Sequence, residues 1–187
     1  MEETRRRILE AALALHSEKG IFGTSWQDIA RQADVSVGTV YKHFPSLDEL
    51  VSACGELMYA ITGPPSLEDA PRIFAGARSL EERLGCLISE LFDFYERGAR
   101  YIETDFRERQ LPEVREWEAY MRATIEGLVR EALVPVEPDE DTVAAASALL
   151  DFTTFKSFLD RGIRKERAAK VMNEVLLCLS DSPRRDR

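Results

Sequence analysis

Apolar residues recur at helical spacing along most of the chain. In the run 4–19, Ile8, Ala12 and Leu15 occupy positions i, i+4 and i+7 and therefore share one helix face. Gly20 follows this run as the expected helix stop. The sequence shows no strand-like alternation of polar and apolar residues and no internal repeat. The pattern predicts an all-α fold.

Capping residues divide the first fifty residues into short helices. Ser25 begins a capping box that opens one helix, and Ser36 caps the next, which ends near His43. Asp34 lies between the two helices and suits a turn, because a short polar side chain tolerates left-handed backbone. Two short helices separated by a tight turn predict a helix-turn-helix.

The segment Thr62-Gly63-Pro64-Pro65 is the clearest break in the chain. We place a domain boundary just before it, which gives a head at 1–50, a connecting helix at 47–61 and a body at 62–187. Cap, glycine and proline signals in the body predict helices at 79–97, 99–110, 113–133, 139–161 and 165–179.

The composition favours a globular protein. Of the 187 residues, 44% are hydrophobic, and no apolar run approaches the roughly 20 residues of a membrane span. The N-terminus also lacks the apolar core of a signal peptide. We therefore expect a cytoplasmic protein with no membrane contact, and we expect its three separated cysteines (Cys54, Cys86 and Cys178) to be buried free thiols.

The charge pattern is only a weak sign of nucleic-acid binding. The net charge is −9, and residues 1–50 hold six basic and eight acidic side chains. Phosphate contacts depend on where the cations lie rather than on the average charge. Arg5, Arg6, Arg7 and Lys42 could form a local basic edge, and we expect it to make few phosphate contacts.

Five ordered motifs lie within residues 4–54. They are Arg7-Ile8-Leu9-Glu10-Ala11-Ala12, Gly20-x-x-Gly23-Thr24-Ser25, Asp28-Ile29-Ala30-x-x-Ala33-x-Val35-Ser36, Val37-Gly38-Thr39-Val40-Tyr41-x-His43-Phe44 and Leu47-x-Glu49-Leu50. In order and spacing they resemble the DNA-binding domain of the TetR (tetracycline-repressor) family of transcriptional regulators. The family commonly has glycine in the turn at Asp34, and often lysine at Leu47. The resemblance implies a three-helix DNA-binding head joined by a fourth helix to an all-α ligand-binding and dimerisation body.

The segment 36–43 is too polar and too small-sided for a core helix, and it suits insertion into the DNA major groove. Gly38 lets backbone approach the duplex, and the Ser36 and Thr39 hydroxyls can bond phosphate or base edges. The predicted DNA-binding residues, in part implied by the resemblance, are Ser25, Gln27, Ser36, Val37, Gly38, Thr39, Tyr41, Lys42 and His43. Taken singly, Tyr41 could instead cover the core, and Lys42 or His43 could be an ordinary surface group.

A helix of about seven residues is not stable alone, so the head needs a core to hold it. The apolar residues able to supply that core are Ile8, Leu15, Phe22, Ile29, Val35, Val40 and Phe44.

Large apolar side chains are frequent between residues 79 and 160, and any one of them could be ordinary helical core. Some of them are tyrosine or tryptophan, which add polar ends to an apolar set, as a small-molecule pocket requires. The resemblance likewise implies an effector pocket in the body. The predicted ligand-binding residues are Phe92, Tyr95, Trp117, Tyr120, Phe152 and Phe155.

The predicted helices 139–161 and 165–179 indicate an oligomer. Residues 143–150 are apolar or small on nearly all sides, and a second apolar stripe lies on the last helix. Two such helices from each of two chains would form a four-helix homodimer interface, with an intramolecular core as the competing explanation. A dimer would present paired recognition helices to half-sites one turn of DNA apart, ~34–36 Å.

These features favour a ligand-responsive repressor that binds a pseudo-palindromic double-stranded DNA operator as a dimer and is released by a small, largely apolar molecule. One alternative is a ligand-sensing protein whose head binds a protein partner. A helical enzyme is disfavoured, because both histidines lie in the head and the sequence has no Cys/His cluster, phosphate loop or nucleophile motif. We expect no metal site and no cofactor.

Overall fold

The computed structural model describes residues 2–103 and 106–181, and every regular element in these ranges is helical. The α-helices are α1 (Glu2–Lys19), α2 (Trp26–Gln32), α3 (Val37–His43), α4 (Leu47–Thr62), α5 (Ala70–Ile73), α6 (Leu80–Ile102), α7 (Pro112–Leu133), α8 (Glu140–Leu149), α9 (Phe152–Asp160) and α10 (Lys165–Ser180). Short 3-10 segments lie at Leu67–Asp69, Glu108–Gln110 and Val134–Val136. The all-α prediction is confirmed.

Backbone packing divides the chain into two units. The first unit contains the residues up to Gly63 together with Arg97–Glu118, and the second contains Pro64–Glu96 and the residues from Ala119 onward. The division falls inside α6 and inside α7, so each of these helices contributes residues to both units. The domain assignment made from the sequence, with a head at 1–50 and a body at 62–187, stays a prediction.

The first unit is built on α1 to α4, whose apolar faces meet in one core. Helix α1 packs against α2 and α4, and α2 packs against α3. The buried residues of this core are Ile8, Leu9, Ala11, Ala12, Leu13, Leu15, Ile29, Ala30, Ala33, Val40, Phe44, Leu50, Ala53 and Cys54. Phe22, which the sequence placed in this core, is 42% exposed. Its ring instead lies against the guanidinium of Arg107, 4.9 Å from that group's carbon to the ring centroid.

Gly98 does not stop a helix, contrary to the sequence prediction. Helix α6 continues through it to Ile102, so the separate helix predicted at 99–110 is wrong. The glycine makes room for neighbours, because a Cβ at this position would lie 2.6 Å from Cδ1 of Ile102 and 3.5 Å from Cγ2 of Thr62. Residues 104 and 105 of that predicted helix lie outside the described ranges, and its last three residues form a 3-10 segment.

In the second unit, the single helix predicted at 139–161 is instead two helices, α8 and α9. Asp151 is extended (φ −71°, ψ 152°), and its carboxylate accepts a hydrogen bond from the Thr153 backbone N–H at 2.7 Å. The Tyr95 hydroxyl donates to the carbonyl of Leu150 at 2.6 Å. This bond satisfies a carbonyl at the end of α8 that has no partner within the helix. A local cap and a tertiary hydrogen bond together fix the break.

The cysteines differ in burial, so the expectation of three buried thiols is wrong for Cys178, which is exposed on α10. Cys54 is buried in the core of the first unit, and desolvation raises the pKa of its thiol to about 12. Cys86 is partly buried. Because its pKa is so high, the Cys54 thiol stays protonated at neutral pH and is a poor nucleophile.

Within the described ranges, no helix combines the length and the hydropathy needed to cross a membrane.

We predict that Asp151→Ala lowers the free energy of unfolding by about 1 kcal/mol, because it removes the N-cap of α9. Asp160→Ala, at the other end of the same helix, serves as the matched control. Asp160 forms an exposed i, i+4 pair with Lys156 at 3.0 Å, which contributes little. Urea unfolding of both variants measures the difference. Equal stabilities would show that the Asp151 cap does not stabilise the start of α9.

A second prediction concerns His16, which is mostly buried in the last turn of α1. This burial lowers its pKa from the ordinary 6.5 to about 4. Because the unfolded chain binds the proton more tightly, stability is complete above about pH 6.5 and declines as the pH falls toward 4. We expect a loss of about 2 kcal/mol between pH 7 and pH 5.

His16→Leu should remove most of this acid-side decline, whereas the control His43→Gln, at the only other histidine, should retain it. Free energies of unfolding measured at several pH values between 5 and 7.5 provide the comparison. A decline of the same size in both variants would assign it to other groups.

Candidate DNA-binding surface and effector pocket

The second helix of the helix-turn-helix, α3, starts at a well-formed N-cap. The Oγ of Ser36 accepts a hydrogen bond from the Thr39 backbone N–H at 3.1 Å, and the two hydroxyl oxygens lie 2.8 Å apart. Both side chains therefore form hydrogen bonds within the first turn of the helix. Any bond that they make to a partner uses the hydrogen-bonding capacity that remains.

One face of α3 lies in the core, and the opposite face is open. Val40 and Phe44 are buried, whereas Gly38, Tyr41 and Lys42 are exposed. A Cβ at Gly38 would meet only the Oγ of Ser36, at 3.8 Å, so packing within the chain does not require glycine there. The small residue instead leaves the backbone accessible to an outside partner.

The start of α2 lies beside this open face. Ser25 and Asp28 form the predicted capping box, and the hydrogen bonds from the Ser25 side chain and backbone hold the pKa of Asp28 below its usual value. Gln27 is exposed. The ring of Tyr41 stacks on that of Trp26 with 4.7 Å between centroids and 30° between planes. Tyr41 is 45% exposed, and its ring nevertheless packs against Trp26.

The turn between α2 and α3 is held from α1. Asp34 adopts a left-handed conformation with φ 51°, which costs less for aspartate than for most residues. The guanidinium of Arg7 donates to the carbonyl of Ala33 at 2.5 Å and to that of Asp34 at 3.3 Å. This explains how the chain tolerates aspartate where the family commonly has glycine.

The basic edge expected from the sequence is not formed as predicted. Arg6 pairs with Glu3 at 3.0 Å and with Glu10 at 3.2 Å, and Arg7 is used by the turn. The guanidinium carbon of Arg5 lies 4.8 Å from the centroid of the Phe44 ring. Three of the four expected cations are thus engaged inside the head, which leaves fewer charges for phosphate.

His43 is half-buried at the end of α3, in acidic surroundings. It lines an open groove of about 390 Å³ together with Arg5, Phe44, Asp48, Glu49, Ser52, Ala53, Glu56 and Glu113. Carboxylates around this end of the recognition helix disfavour the close approach of a phosphate.

Four of the six predicted ligand-binding residues pack together in the second unit. Ring centroids lie 4.9 Å apart for Phe92 and Phe155, 5.6 Å for Tyr95 and Phe152, and 5.7 Å for Tyr95 and Phe155. The polar end of Tyr95 bonds the carbonyl of Leu150, and burial raises the pKa of this hydroxyl. The cluster is a close-packed core in this state.

The other two predicted ligand-binding residues are not part of this aromatic cluster. Tyr120 is 46% exposed, and Trp117 belongs to the first unit. The Nε1 of Trp117 is buried and has no hydrogen-bond partner among the described residues. The effector site as a set of six residues therefore stays a prediction.

Sequence reasoning missed three residues that organise the first unit: Arg7, Trp26 and Glu108. Glu108 is 4% exposed, and its Oε1 accepts a hydrogen bond from the backbone N–H of Ile21 at 2.5 Å, which ties the loop before α2 to the segment before α7. The bonds of Arg7 and Glu108 join residues that are 26 and 87 positions apart in sequence. No local pattern could have indicated them.

Comparisons with known proteins match this chain to bacterial transcriptional regulators. The profile of the bacterial regulatory proteins of the tetR family matches residues 8–54. The chain is 28% identical over 195 residues to the HTH-type transcriptional repressor KstR of Rhodococcus jostii, a match that covers 98% of this chain and 86% of KstR. It is 40% identical over 67 residues to the HTH-type transcriptional regulator AcrR of Shigella flexneri, which is 36% of this chain and 31% of AcrR.

Solved structures share the fold over nearly the whole chain. NalD, the secondary repressor of the MexAB-OprM multidrug efflux pump in Pseudomonas aeruginosa, aligns with a TM-score of 0.68 and 23% identity, covering 95% of each chain. The transcriptional regulator FadR from Bacillus subtilis, solved in complex with stearoyl-CoA, aligns with a TM-score of 0.61 and 19% identity, covering 95% of this chain and 98% of FadR. At these identities the likeness shows a common fold.

A capped recognition helix on a helix-turn-helix, within an all-α fold, defines a DNA-binding transcriptional regulator. Residues 8–54 match the tetR family of bacterial regulatory proteins, which confirms the resemblance found in residues 4–54. The chain's curated relatives are named as transcriptional regulators.

We predict that Arg7→Ala lowers the free energy of unfolding by about 1 kcal/mol, because the carbonyls of the turn lose a charged donor. Arg6→Ala is the matched control, since Arg6 makes only exposed ion pairs and its loss should change stability little. Chemical denaturation of the two variants gives the comparison. Equal losses of unfolding free energy in the two variants would show that the hydrogen bonds of Arg7 do not stabilise the turn.

Proposed function

We propose that the protein is a ligand-responsive repressor that acts in the cytoplasm, binds a pseudo-palindromic DNA operator as a homodimer and is released by a small, largely apolar molecule. The observation that carries this proposal is the open face of α3, where Gly38, Tyr41 and Lys42 are exposed on a helix fixed from beneath. A short, rigid helix with a small residue near its start suits close approach to a major groove.

In the proposed docking, α3 enters the major groove with its N-terminal half against the bases. Thr39 and the backbone around Gly38 would face base edges, whereas Tyr41 and Lys42 would contact phosphates. Ser25, Gln27, Ser36, Val37 and His43 complete the proposed surface, with Ser25 and Gln27 next to the DNA backbone. Because most arginines of the head have partners inside it, we expect only a few phosphate contacts.

The proposed homodimer rests on apolar surface that a single chain leaves open. Helix α10 packs against α8 within the chain, so part of both predicted stripes is intramolecular core. These internal residues are Val143, Ala146, Ala168 and Met172. Ala144, Ala148 and Val175 remain exposed on the same two helices. Small side chains let helices approach closely, and this supports a four-helix interface with a second copy.

The aromatic cluster of Phe92, Tyr95, Phe152 and Phe155 in the second unit is the proposed effector site, together with Tyr120 of the same unit. A ligand that entered the cluster would have to displace close-packed rings and would compete for the bond between Tyr95 and Leu150. Structures of the same fold contain stearoyl-CoA in FadR and choline in a regulator from Saccharomonospora viridis. They support a small-molecule site in this fold.

Helices α6 and α7 each contribute residues to both units. A rearrangement around the effector therefore has two continuous helical connections to the unit that contains α3. An effector that favours the released state by ~1–3 kcal/mol would weaken operator binding roughly 5–150-fold.

Selection of bound sequences from a random duplex pool tests the proposal. We expect enrichment of a palindromic site, and we expect small apolar compounds in a subsequent screen to release the labelled duplex. Enrichment of a single half-site only, or no enrichment at all, would contradict the dimeric-operator proposal. Enrichment with no released complex in a broad screen would contradict effector control and leave DNA binding intact.

We predict that Tyr41→Phe and Lys42→Ala each weaken DNA binding by a similar factor on specific and non-specific duplexes, because phosphate contacts carry no sequence information. Lys42→Ala should also reduce the salt dependence of the affinity by about one phosphate contact. Titrations of labelled duplex at several salt concentrations measure both effects. Unchanged affinity in both variants, with unchanged thermal midpoints, would contradict this docking.

We predict that Ala148→Glu converts the dimer to monomers, because it places a charge on the exposed small-residue face of α8. Lys170→Ala, at an exposed position on α10, is the control because it also lowers the net charge by one. Sedimentation velocity should show a monomer for Ala148→Glu and a dimer for the control. If both variants remain dimeric, the interface lies elsewhere.

A further inference from the structure

We infer that Trp26 is a positioning residue for DNA recognition: its indole fixes the ring of Tyr41, and thereby the place where the Tyr41 hydroxyl meets the duplex. The inference rests on the proposed docking of α3. Tyr41 is 45% exposed, and an exposed side chain ordinarily samples several rotamers. The centroid distance of 4.7 Å and the tilt of 30° to Trp26 lie in the range of offset aromatic pairs.

Trp26 is well suited to act as a fixed support. It is the first residue of α2 and directly follows Ser25, which is locked by its reciprocal hydrogen bonds with Asp28. The side chain of Trp26 is partly buried and packs against the core of the head. The backbone cap and the core therefore hold the indole in place, and the indole in turn holds the more exposed ring of Tyr41.

Stacking of Trp26 on Tyr41 should change the affinity for DNA without changing which DNA sequence is preferred. A side chain that contacts DNA loses rotamer freedom on binding, and a ring already stacked in the free protein has lost it beforehand. A phosphate contact by the Tyr41 hydroxyl is independent of sequence. Loss of Trp26 should therefore weaken binding to all duplexes alike, and it should do so only while the Tyr41 hydroxyl is present.

A double-mutant cycle on the full chain tests this dependence. The variants are Trp26→Leu, Tyr41→Phe and their combination, and the probe is a fluorescein-labelled duplex that carries the sequence enriched from the random pool. We expect Trp26→Leu to weaken binding about fivefold in the natural chain and less than about twofold when combined with Tyr41→Phe. Trp26→Phe, which keeps an aromatic support, should stay within about twofold of the natural chain.

Tryptophan fluorescence gives a second readout that a merely structural role would not change. The chain has two tryptophans, so Trp117→Phe leaves Trp26 as the sole reporter. In that background we expect Trp26 emission to change when the duplex is added and when Tyr41 is replaced by leucine. Lys42→Ala is the matched control, because it should weaken binding while the emission of the free protein stays unchanged.

The outcomes separate this inference from the proposed docking. An equal loss from Trp26→Leu with and without the Tyr41 hydroxyl would overturn the role of Trp26 and leave the docking of α3 intact. Unchanged affinity in Tyr41→Phe would overturn the docking and the inference together. If Trp26→Leu lowers the thermal midpoint strongly, Trp26→Met, which also removes the ring but keeps a flexible apolar side chain, replaces it in the same cycle, and additivity there overturns the role of Trp26.

Discussion

A helix of seven residues is not stable in water by itself, so the proposed DNA-binding surface depends on how α3 is anchored. Three anchors hold it: the Ser36 cap at its start, the buried pair Val40 and Phe44 beneath it, and the hydrogen bonds from Arg7 to the turn that precedes it. Each anchor acts from the end or the inner face of the helix. The outer face is therefore left open for a partner, and of the three anchors only Ser36 also belongs to the proposed DNA-binding surface.

The arginines of the head likewise make most of their contacts within the fold. Arginines that could have faced phosphate instead complete the fold: Arg7 bonds the turn, Arg6 pairs with Glu3 and Glu10, and Arg5 lies against Phe44. With so few cations left on an acidic protein, the proposed recognition would depend on shape and on well-placed neutral donors. A pre-positioned hydroxyl then matters more than it would on a strongly basic surface, since each contact is a larger share of the total.

In the second unit, the aromatic cluster and the break between α8 and α9 form one connected feature. The hydroxyl of Tyr95 bonds the carbonyl of Leu150 while its ring packs on Phe152 and Phe155. Close-packed cores rearrange between discrete states rather than deforming gradually. A ligand that opened this cluster would thus disturb the end of α8, on which part of the proposed dimer surface lies. Effector binding and dimer geometry would in this way share one element.

The sequence by itself determined the features that depend on neighbouring residues. Helical periodicity, the caps at Ser25 and Ser36, the turn at Asp34 and the ordered motifs of residues 4–54 are all local. They sufficed for the fold class, the helix-turn-helix and the family resemblance of residues 4–54. The aromatic composition of the body suggested a pocket but did not show how the rings pack.

Only the tertiary structure decided that α6 passes through Gly98, that Asp151 divides a predicted helix, that Arg7 serves the turn and that Trp26 supports Tyr41. These features depend on space and partners supplied by distant parts of the chain, which no local pattern encodes.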